Sequence, residues 1–157
     1  MKILPLTGNH NRAGFDCGRA ELSNWLHQIA RQHQDKGLSK TFVATLETAP
    51  THICGYYALT LTEVDTAALA EAHRKKLPRM IPGVRLGRLA VDKKYQGKRL
   101  GELLLMDAIE RVRLIHQHAG VVGLFVDAID AKAAGFYAHF GFEAFKDDSL
   151  KLFLPVR

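Results

Sequence analysis

Residues Leu86–Gly101 read LGRLAVDKKYQGKRLG. An apolar run ends at Asp92, a basic stretch follows, and a helical pattern rich in Leu and Ile begins near Arg99. Between them lies a turn, Gln96–Gly101 (the 96–101 turn). A turn in this position presents free backbone N–H groups at the start of the helix. The helix dipole favours negative charge at the same end. The stretch therefore predicts a strand–turn–helix unit that binds phosphate.

Strand and helix patterns alternate along the rest of the chain, without repeats or low-complexity segments. We expect strands at 2–6, 41–47, 52–64, 84–91, 121–128, 142–144 and 150–154. We expect helices at 21–34, 66–76, 99–118 and 131–140, and a loop at 77–83, which contains two prolines and a glycine. The helix at 99–118 carries one apolar stripe, formed by Leu104, Leu105, Ala108, Ile109, Val112 and Ile115. The pattern predicts an α/β fold with a mixed central β-sheet flanked by helices, in a single domain spanning residues 1–157.

Composition excludes several classes of protein. The chain has 47% hydrophobic and 24% charged residues, which is ordinary for a globular domain. No apolar run is long enough for a membrane span, and the first five residues do not resemble a secretory signal. Cys17 and Cys54 lie far apart, so we expect reduced thiols and a cytoplasmic protein. The eight histidines lack metal-ligand spacing, and we expect no metal site.

Positive charge is concentrated in one part of the chain. The formal net charge is +6, and ten basic residues lie between Arg74 and Arg99 with Asp92 as the single acid among them. The other residues carry 12 basic and 15 acidic side chains, so the positive field is local. A local field of this kind attracts polyanions such as nucleic acid. The alternatives are a solvated basic loop, or charge that serves only the phosphates of a small cofactor.

The 96–101 turn resembles the pyrophosphate-binding turn of GCN5-related N-acetyltransferases (GNATs), written (Gln/Arg)-x-x-Gly-x-(Gly/Ala). Gln96, Leu100 and Gly101 fit this frame, whereas Arg99 stands where the family usually has Gly. The resemblance implies that acetyl-CoA binds at this turn, through Gln96, Gly97, Lys98, Arg99, Leu100 and Gly101. We expect Arg99 to be tolerated, because a position in the first turn of a helix does not demand positive φ.

A second segment, Gly135–Phe142, reads GFYAHFGF and resembles the FYxxxGF segment near the end of GNAT domains. The resemblance implies that Tyr137 is the general acid that protonates the departing CoA thiolate. A phenol suits this role because its ordinary pKa of about 10 keeps it protonated at neutral pH. The resemblance also assigns Phe140 to the cofactor site. From composition alone, the three phenylalanines of the segment would be core residues.

A narrower resemblance extends over nearly the whole chain. FDCG at 15–18, GYYAL at 55–59, KLP at 76–78, LGRLAVD at 86–92 and VDA at 126–128 follow in the order found in GNAT toxins of type II toxin–antitoxin modules. Those toxins acetylate the amino group of aminoacyl-tRNA and so stop translation. The resemblance implies aminoacyl-tRNA as substrate, a small cognate antitoxin as partner, and a homodimer.

The chemistry of this reaction is compatible with the residues present. A free α-amino group has a pKa of about 7.7–8.0, so it needs little help from a general base. Backbone N–H groups at Leu89, Ala90 and Val91 would polarise the thioester carbonyl as in an oxyanion hole. Six basic residues of the segment between Arg74 and Arg99 are candidates for binding tRNA phosphates: Arg74, Lys75, Lys76, Arg79, Arg85 and Arg88. For Arg85 and Arg88 the alternative is that they flank a strand and extend their charges to solvent.

Two other functions remain open at the level of sequence. One is a GNAT that acetylates a small amine or a protein N-terminus, with the basic residues irrelevant to the substrate. The other is a catalytically idle GNAT-fold module that binds nucleic acid or a protein partner, because Arg99 has impaired cofactor binding. Acetyl-CoA affinity separates the idle module from the two enzymes.

Overall fold

The structure is a computed structural model that describes all residues, Met1–Arg157. The strands are β1 (Lys2–Pro5), β2 (Lys40–Thr45), β3 (Gly55–Asp65), β4 (Met80–Val91), β5 (Gly123–Asp127), β6 (Glu143–Phe145) and β7 (Asp148–Pro155). The α-helices are α1 (Ala20–Gln28), α2 (Ala30–Asp35), α3 (Glu71–Arg74), α4 (Leu100–His118) and α5 (Ala131–His139). Short 3₁₀ turns occur at Thr66–Ala68 and Lys93–Tyr95. None of the helices is both long and apolar enough to span a membrane.

The strands form one seven-stranded sheet in the order β1-β2-β3-β4-β5-β7-β6. The pairs β1–β2, β2–β3, β5–β7 and β6–β7 are antiparallel. Strands β4 and β5 are parallel, with Val84 opposite Leu124, and a parallel pair needs a long crossover, which here contains α4. The predicted α/β fold with a mixed sheet flanked by helices is confirmed.

The chain divides into two compact units, of which the first comprises Met1–Thr60 and Gly87–Ala108. Its core is built around Tyr56, which is fully buried, stacks on Trp25 and meets Phe15 edge to face. Close packing explains why residue 55 is glycine. A Cβ there would lie 2.9 Å from the Leu104 side chain and 3.1 Å from the Ala90 carbonyl oxygen. The close approach of β3 to α4 within this unit therefore requires glycine.

The second unit comprises Leu61–Leu86 and Ile109–Arg157. Its core contains Phe125 and Phe153, whose stacked rings lie 4.5 Å apart, with Val64, Leu69 and Ile81 packed around them. Helix α5 is defined at both ends. Asp130 accepts a hydrogen bond from the Ala133 N–H at 2.8 Å, and Gly141 takes a φ of 94° just beyond the helix. The expectation that residues 1–157 form a single domain stays a prediction.

Three expected elements differ from the structure. The helix expected at 21–34 is interrupted at Ile29, whose φ of −116° lies outside the helical range. The helix expected at 66–76 is a 3₁₀ turn followed by the four-residue α3. Strand β4 begins at Met80, so the loop expected at 77–83 is wrong over its last four residues. Gly83 lies within β4 and against the Phe125 ring. A Cβ at this position would come within 2.3 Å of that ring, so the strand requires glycine here.

The apolar stripe of the long helix is confirmed for five of its six members. Leu104, Leu105, Ala108, Ile109 and Val112 are buried, and Ile115 is half-buried. The helix begins at Leu100 rather than at residue 99.

Candidate active site

The segment between β4 and α4 is anchored by a buried carboxylate. Asp92 is 4% exposed, and its Oδ1 accepts a hydrogen bond from the Lys94 N–H at 3.0 Å, which caps the 3₁₀ turn. Its Oδ2 accepts from the Asp16 N–H, also at 3.0 Å. A buried carboxylate is stable when both oxygens are hydrogen-bonded, as here. The strand–turn–helix arrangement expected for this stretch is present.

The 96–101 turn enters helix α4 through residues with left-handed backbone. Gly97 has a φ of 77° and Arg99 a φ of 63°. The expectation that position 99 does not demand positive φ is therefore wrong. Glycine suits this position because it adopts positive φ without steric strain. Arg99 adopts the same left-handed backbone conformation at a conformational free-energy cost of about 1 kcal/mol.

The turn has the properties that a pyrophosphate requires. The Arg99 carbonyl accepts the Leu103 N–H at 3.2 Å, so the N–H groups at the very start of α4 have no carbonyl one turn earlier to bond. Gly97, Lys98 and Arg99 are exposed, and a Cβ added to Gly97 would meet nothing within 4 Å. Exposed N–H groups, two cations and open space at a helix N-terminus fit the diphosphate of CoA.

The side chain of Gln96 is engaged within the protein. Its Nε2 donates to the Cys17 carbonyl at 2.9 Å and to the Val91 carbonyl at 2.8 Å. The amide therefore links the turn to the end of β4 and to the segment that precedes α1. The structure thus gives the Gln96 side chain two partners that its sequence position did not reveal.

Leu89, Ala90 and Val91 form the end of β4, directly before Asp92. Ala90 is buried, and Leu89 and Val91 are half-buried. These residues belong to the same compact unit as the 96–101 turn, and the Val91 carbonyl accepts a hydrogen bond from Gln96 of the turn at 2.8 Å.

Tyr137 and Phe140 belong to the second unit, on α5 and at its C-terminal end. Tyr137 is 8% exposed, and its ring contacts those of Phe136 and Phe142 with centroids 5.3 and 5.5 Å away. This burial disfavours the phenolate and raises the pKa of Tyr137 to about 12. The side chain is therefore a phenol at neutral pH, which is the protonation state of a proton donor. Phe140 is half-buried and packs on Phe136.

The basic residues at 74–79 lie in the second unit, around α3 and the segment that follows it. Arg74, Lys75 and Arg79 line a cavity of about 500 Å³ together with the acids Asp65 and Glu71. Arg79 Nε lies 3.3 Å from Asp65 Oδ2, yet its side chain is 84% exposed. Lys76 is exposed and takes a φ of 64°. The structure thus groups these four cations on one short segment.

Arg85 and Arg88 have partners within the protein. Arg85 pairs with Asp127 and donates to Thr62 Oγ1 at 3.3 Å. Arg88 is half-buried, and its guanidinium lies over the Trp25 ring, 4.7 Å from the centroid. A cation held over an aromatic face has a restricted position. These two arginines are half-buried, whereas Arg79 is paired with Asp65 but remains exposed.

The sequence did not predict the polar contacts of two acidic residues near the 96–101 turn. The Asp16 N–H donates to the Asp92 carboxylate, and the Asp16 carboxylate pairs with Lys93, which lies just before the turn. For Asp92 a signal existed, since an acid directly after a buried strand needs hydrogen-bond partners. For its contacts with Asp92 and Lys93, the Asp16 position carries no local signal, because the first of these partners is 76 residues away.

Known proteins resemble this chain in sequence and in structure. The acetyltransferase (GNAT) domain model matches residues 37–144. A tRNA-acetylating toxin of Mycobacterium tuberculosis is 35% identical over 143 residues, which cover 91% of this chain and 84% of the toxin.

Two solved structures are similar to this chain as well. AtaT complexed with acetyl-methionyl-tRNAfMet has a TM-score of 0.90 and 33% identity, covering 98% of this chain and 94% of AtaT. AtaTR bound with AcCoA has a TM-score of 0.82 and 34% identity, covering 98% and 92%. The chain therefore belongs to the GNAT family of acetyltransferases.

Proposed function

We propose that this protein transfers the acetyl group of acetyl-CoA to the α-amino group of an aminoacyl-tRNA and thereby blocks translation, as the toxin of a type II toxin–antitoxin module. The observation that carries the proposal is the similarity, over 98% of the chain, to AtaT complexed with acetyl-methionyl-tRNAfMet. The M. tuberculosis relative, named a tRNA-acetylating toxin, supports the same substrate class.

Acetyl-CoA would be held by the first unit. The N–H groups of the 96–101 turn and the cations Lys98 and Arg99 bind the pyrophosphate. Backbone N–H groups at Leu89–Val91 polarise the thioester carbonyl as negative charge develops on its oxygen. Phe140 is the further cofactor-binding residue that the family resemblance implies.

Tyr137 supplies the proton that the CoA sulfur needs on leaving. Attack by the neutral amine forms the C–N bond, the C–S bond breaks, and the phenol proton passes to sulfur while the amine loses a proton to solvent. Burial raises the pKa of Tyr137 to about 12, so the phenol keeps its proton until negative charge develops on sulfur. Tyr137 is reprotonated from solvent afterwards.

The tRNA would be bound through the basic residues of the segment from Arg74 to Arg88. Lys75, Lys76 and Arg79 are exposed and lie with the half-buried Arg74 on one short segment, which suits a phosphate backbone. Such contacts position the acceptor end without reading sequence. Arg85 and Arg88, which are held by Asp127 and Trp25, would contribute fixed rather than mobile charge.

The proposal is tested by transfer of labelled acetyl from acetyl-CoA to a pool of charged tRNA. Deacylated tRNA and free amino acids are the negative controls, and Tyr137→Phe is the catalytic variant, since it keeps the ring and removes the proton donor. We expect label only on charged tRNA, and a loss of about 10²–10⁴-fold in kcat in the variant.

Either of two results would contradict the proposal. Label on a small amine or protein N-terminus, with none on charged tRNA, would assign the protein to another GNAT activity. Full turnover by Tyr137→Phe would remove Tyr137 from the proton transfer.

The remaining assignments follow from the same proposal. A toxin that acts on charged tRNA works in the cytoplasm and requires a small antitoxin to restrain it. The family resemblance further predicts a homodimer, for which light scattering during size-exclusion chromatography is the direct measurement. A mass of one chain, 17.5 kDa, at micromolar concentration would contradict the dimer.

A further inference from the structure

The only side chain of the 96–101 turn with two hydrogen bonds to other segments is that of Gln96. Its Nε2 uses both protons, one on the Cys17 carbonyl at 2.9 Å and one on the Val91 carbonyl at 2.8 Å. An amide nitrogen has no third proton to offer. While these bonds exist, the amide nitrogen of Gln96 cannot donate to a phosphate.

Cys17 belongs to the segment Phe15–Gly18 (the FDCG loop), which makes further bonds to the approach of the turn. The Lys93 N–H donates to the Asp16 carbonyl at 2.9 Å, and Lys93 Nζ lies 3.1 Å from Asp16 Oδ2. The Asp16 N–H donates to buried Asp92. The loop is thus joined by four contacts to residues 92–96, one of them made by the turn itself, and 76 to 79 residues separate the partners.

The FDCG loop is itself fixed on the core of the first unit. Phe15 is 1% exposed and packs on Tyr56, while the Cys17 N–H donates to Ser23 Oγ at 3.1 Å. The Phe15 carbonyl is 2.7 Å from His27 Nε2. A rigid loop can therefore hold its partner in place.

We propose that the Gln96 side chain is a positioning residue, which together with the FDCG loop holds the N–H groups of the 96–101 turn in the arrangement that binds the acetyl-CoA pyrophosphate. The inference rests on the proposed acetyl-CoA site. It changes the role of Gln96 from a direct phosphate ligand to an internal donor. It also gives the FDCG loop, which contains no other assigned site residue, a part in cofactor affinity.

The strained entry into α4 explains why the turn needs such support. Arg99 holds a φ of 63°, which a non-glycine residue keeps only where surrounding contacts oppose relaxation. Gln96 lies three residues before it. Without the two bonds of Gln96, the turn would relax toward other conformations in the absence of ligand, and binding would have to restore the competent one.

The test compares Gln96→Met, Gln96→Arg and the wild type in two measurements without tRNA. Met has nearly the shape of Gln but no donor, whereas Arg restores several N–H donors. Hydrogen–deuterium exchange of the unliganded protein reports on the order of residues 97–103, and isothermal titration calorimetry gives the Kd for acetyl-CoA. Gln117→Met is the matched control, because Gln117 is exposed near the other end of α4. Asp16→Ala is the second variant, since it removes the carboxylate contacts to Lys93 Nζ and to the Gly18 N–H.

We expect Gln96→Met to exchange about fivefold faster at 97–103 without ligand and to bind acetyl-CoA about tenfold more weakly. Gln96→Arg should recover most of both losses, and Asp16→Ala should show smaller changes in the same direction. Gln117→Met should match the wild type.

Two results would overturn the inference. Weaker binding by Gln96→Met with unchanged exchange of the free protein would make Gln96 a direct ligand. Unchanged binding and exchange would make its bonds irrelevant to the site. A wild type that fails to bind acetyl-CoA would refute the proposed function instead, and the exchange comparison would still decide whether Gln96 orders the turn.

Discussion

At the scale of single residues, the left-handed conformation of Arg99 has a measurable consequence. Arg99→Gly removes the steric cost of a φ of 63° but increases the entropy of the unfolded chain, and the two effects leave a net gain of about 0.5 kcal/mol in the free energy of unfolding. Lys76→Gly, at a φ of 64°, should behave similarly. Urea denaturation provides the measurement.

Lys98→Gly is the matched control for that comparison, because Lys98 is exposed and is not among the residues with positive φ. Glycine there adds only unfolded-state entropy, so we expect destabilisation by about 0.5–1 kcal/mol. Equal destabilisation by Arg99→Gly and Lys98→Gly would contradict the conformational argument.

A second consequence at this scale concerns the pH dependence of acetyl transfer. The rate should rise with pH as the substrate α-amino group deprotonates, with an apparent pKa of about 7.7–8.0. Because burial raises the pKa of Tyr137 to about 12, the phenol keeps its proton and the rate should not fall before pH 10.

Initial rates with an amide-linked aminoacyl nucleotide provide this measurement, since the ester of a charged tRNA hydrolyses in alkali. Thermal melting at each pH controls for unfolding. A falling limb centred near pH 9 in a folded protein would show that another group donates the proton, or that Tyr137 is not shielded during turnover.

At the scale of secondary-structure elements, β4 contains two glycines that should respond oppositely to the same change. Gly83→Ala places a Cβ 2.3 Å from the ring of Phe125, which is buried and stacked on Phe153 and so has no room to move. We expect a loss of about 1–3 kcal/mol in the free energy of unfolding.

Gly87→Ala is the control on the same strand, because a Cβ there meets nothing within 4 Å and the φ is not positive. It should be neutral or stabilising by up to about 1 kcal/mol. Chemical denaturation of both variants is the measurement. If Gly83→Ala proved as stable as Gly87→Ala, the packing of β4 on Phe125 would be looser than the structure indicates.

At the scale of the whole molecule, the positive charge predicts salt-dependent binding of tRNA. If about four phosphates are contacted, affinity should fall about hundredfold between 50 and 200 mM salt. Arg74→Ala with Lys75→Ala should reduce the slope of log Kd against log salt by about two units. Fluorescence anisotropy with labelled tRNA provides the measurement.

Lys36→Ala with Lys132→Ala is the charge-matched control, because both lysines are exposed and lie outside the basic segment at 74–99. We expect its slope to equal that of the wild type. A slope lowered equally by both double variants would mean that net charge, rather than the segment at 74–79, determines binding.

Local sequence predicted those features that depend on neighbours along the chain. The apolar run before Asp92, the turn and the striped helix after it were predicted because period and turn chemistry are short-range properties. The misassigned start of β4 shows the limit of that reasoning. Proline and glycine at 82–83 favour a loop locally. In the structure both residues belong to β4, where the Pro82 carbonyl accepts a hydrogen bond from the Val122 N–H and the absence of a side chain at Gly83 leaves room for the Phe125 ring.

The sequence by itself predicted a mixed α/β fold and a turn with two cations at the start of a long helix, because residue types at short spacings indicate them. Its resemblance to GNAT enzymes implied acetyl-CoA as cosubstrate and Tyr137 as proton donor. Only the tertiary structure decided that Arg99 adopts a left-handed backbone, that Arg88 lies over Trp25, and that Gln96 bonds the Cys17 carbonyl. The physical reason is that each of these depends on packing between segments distant in the chain, and no local pattern records which segments meet.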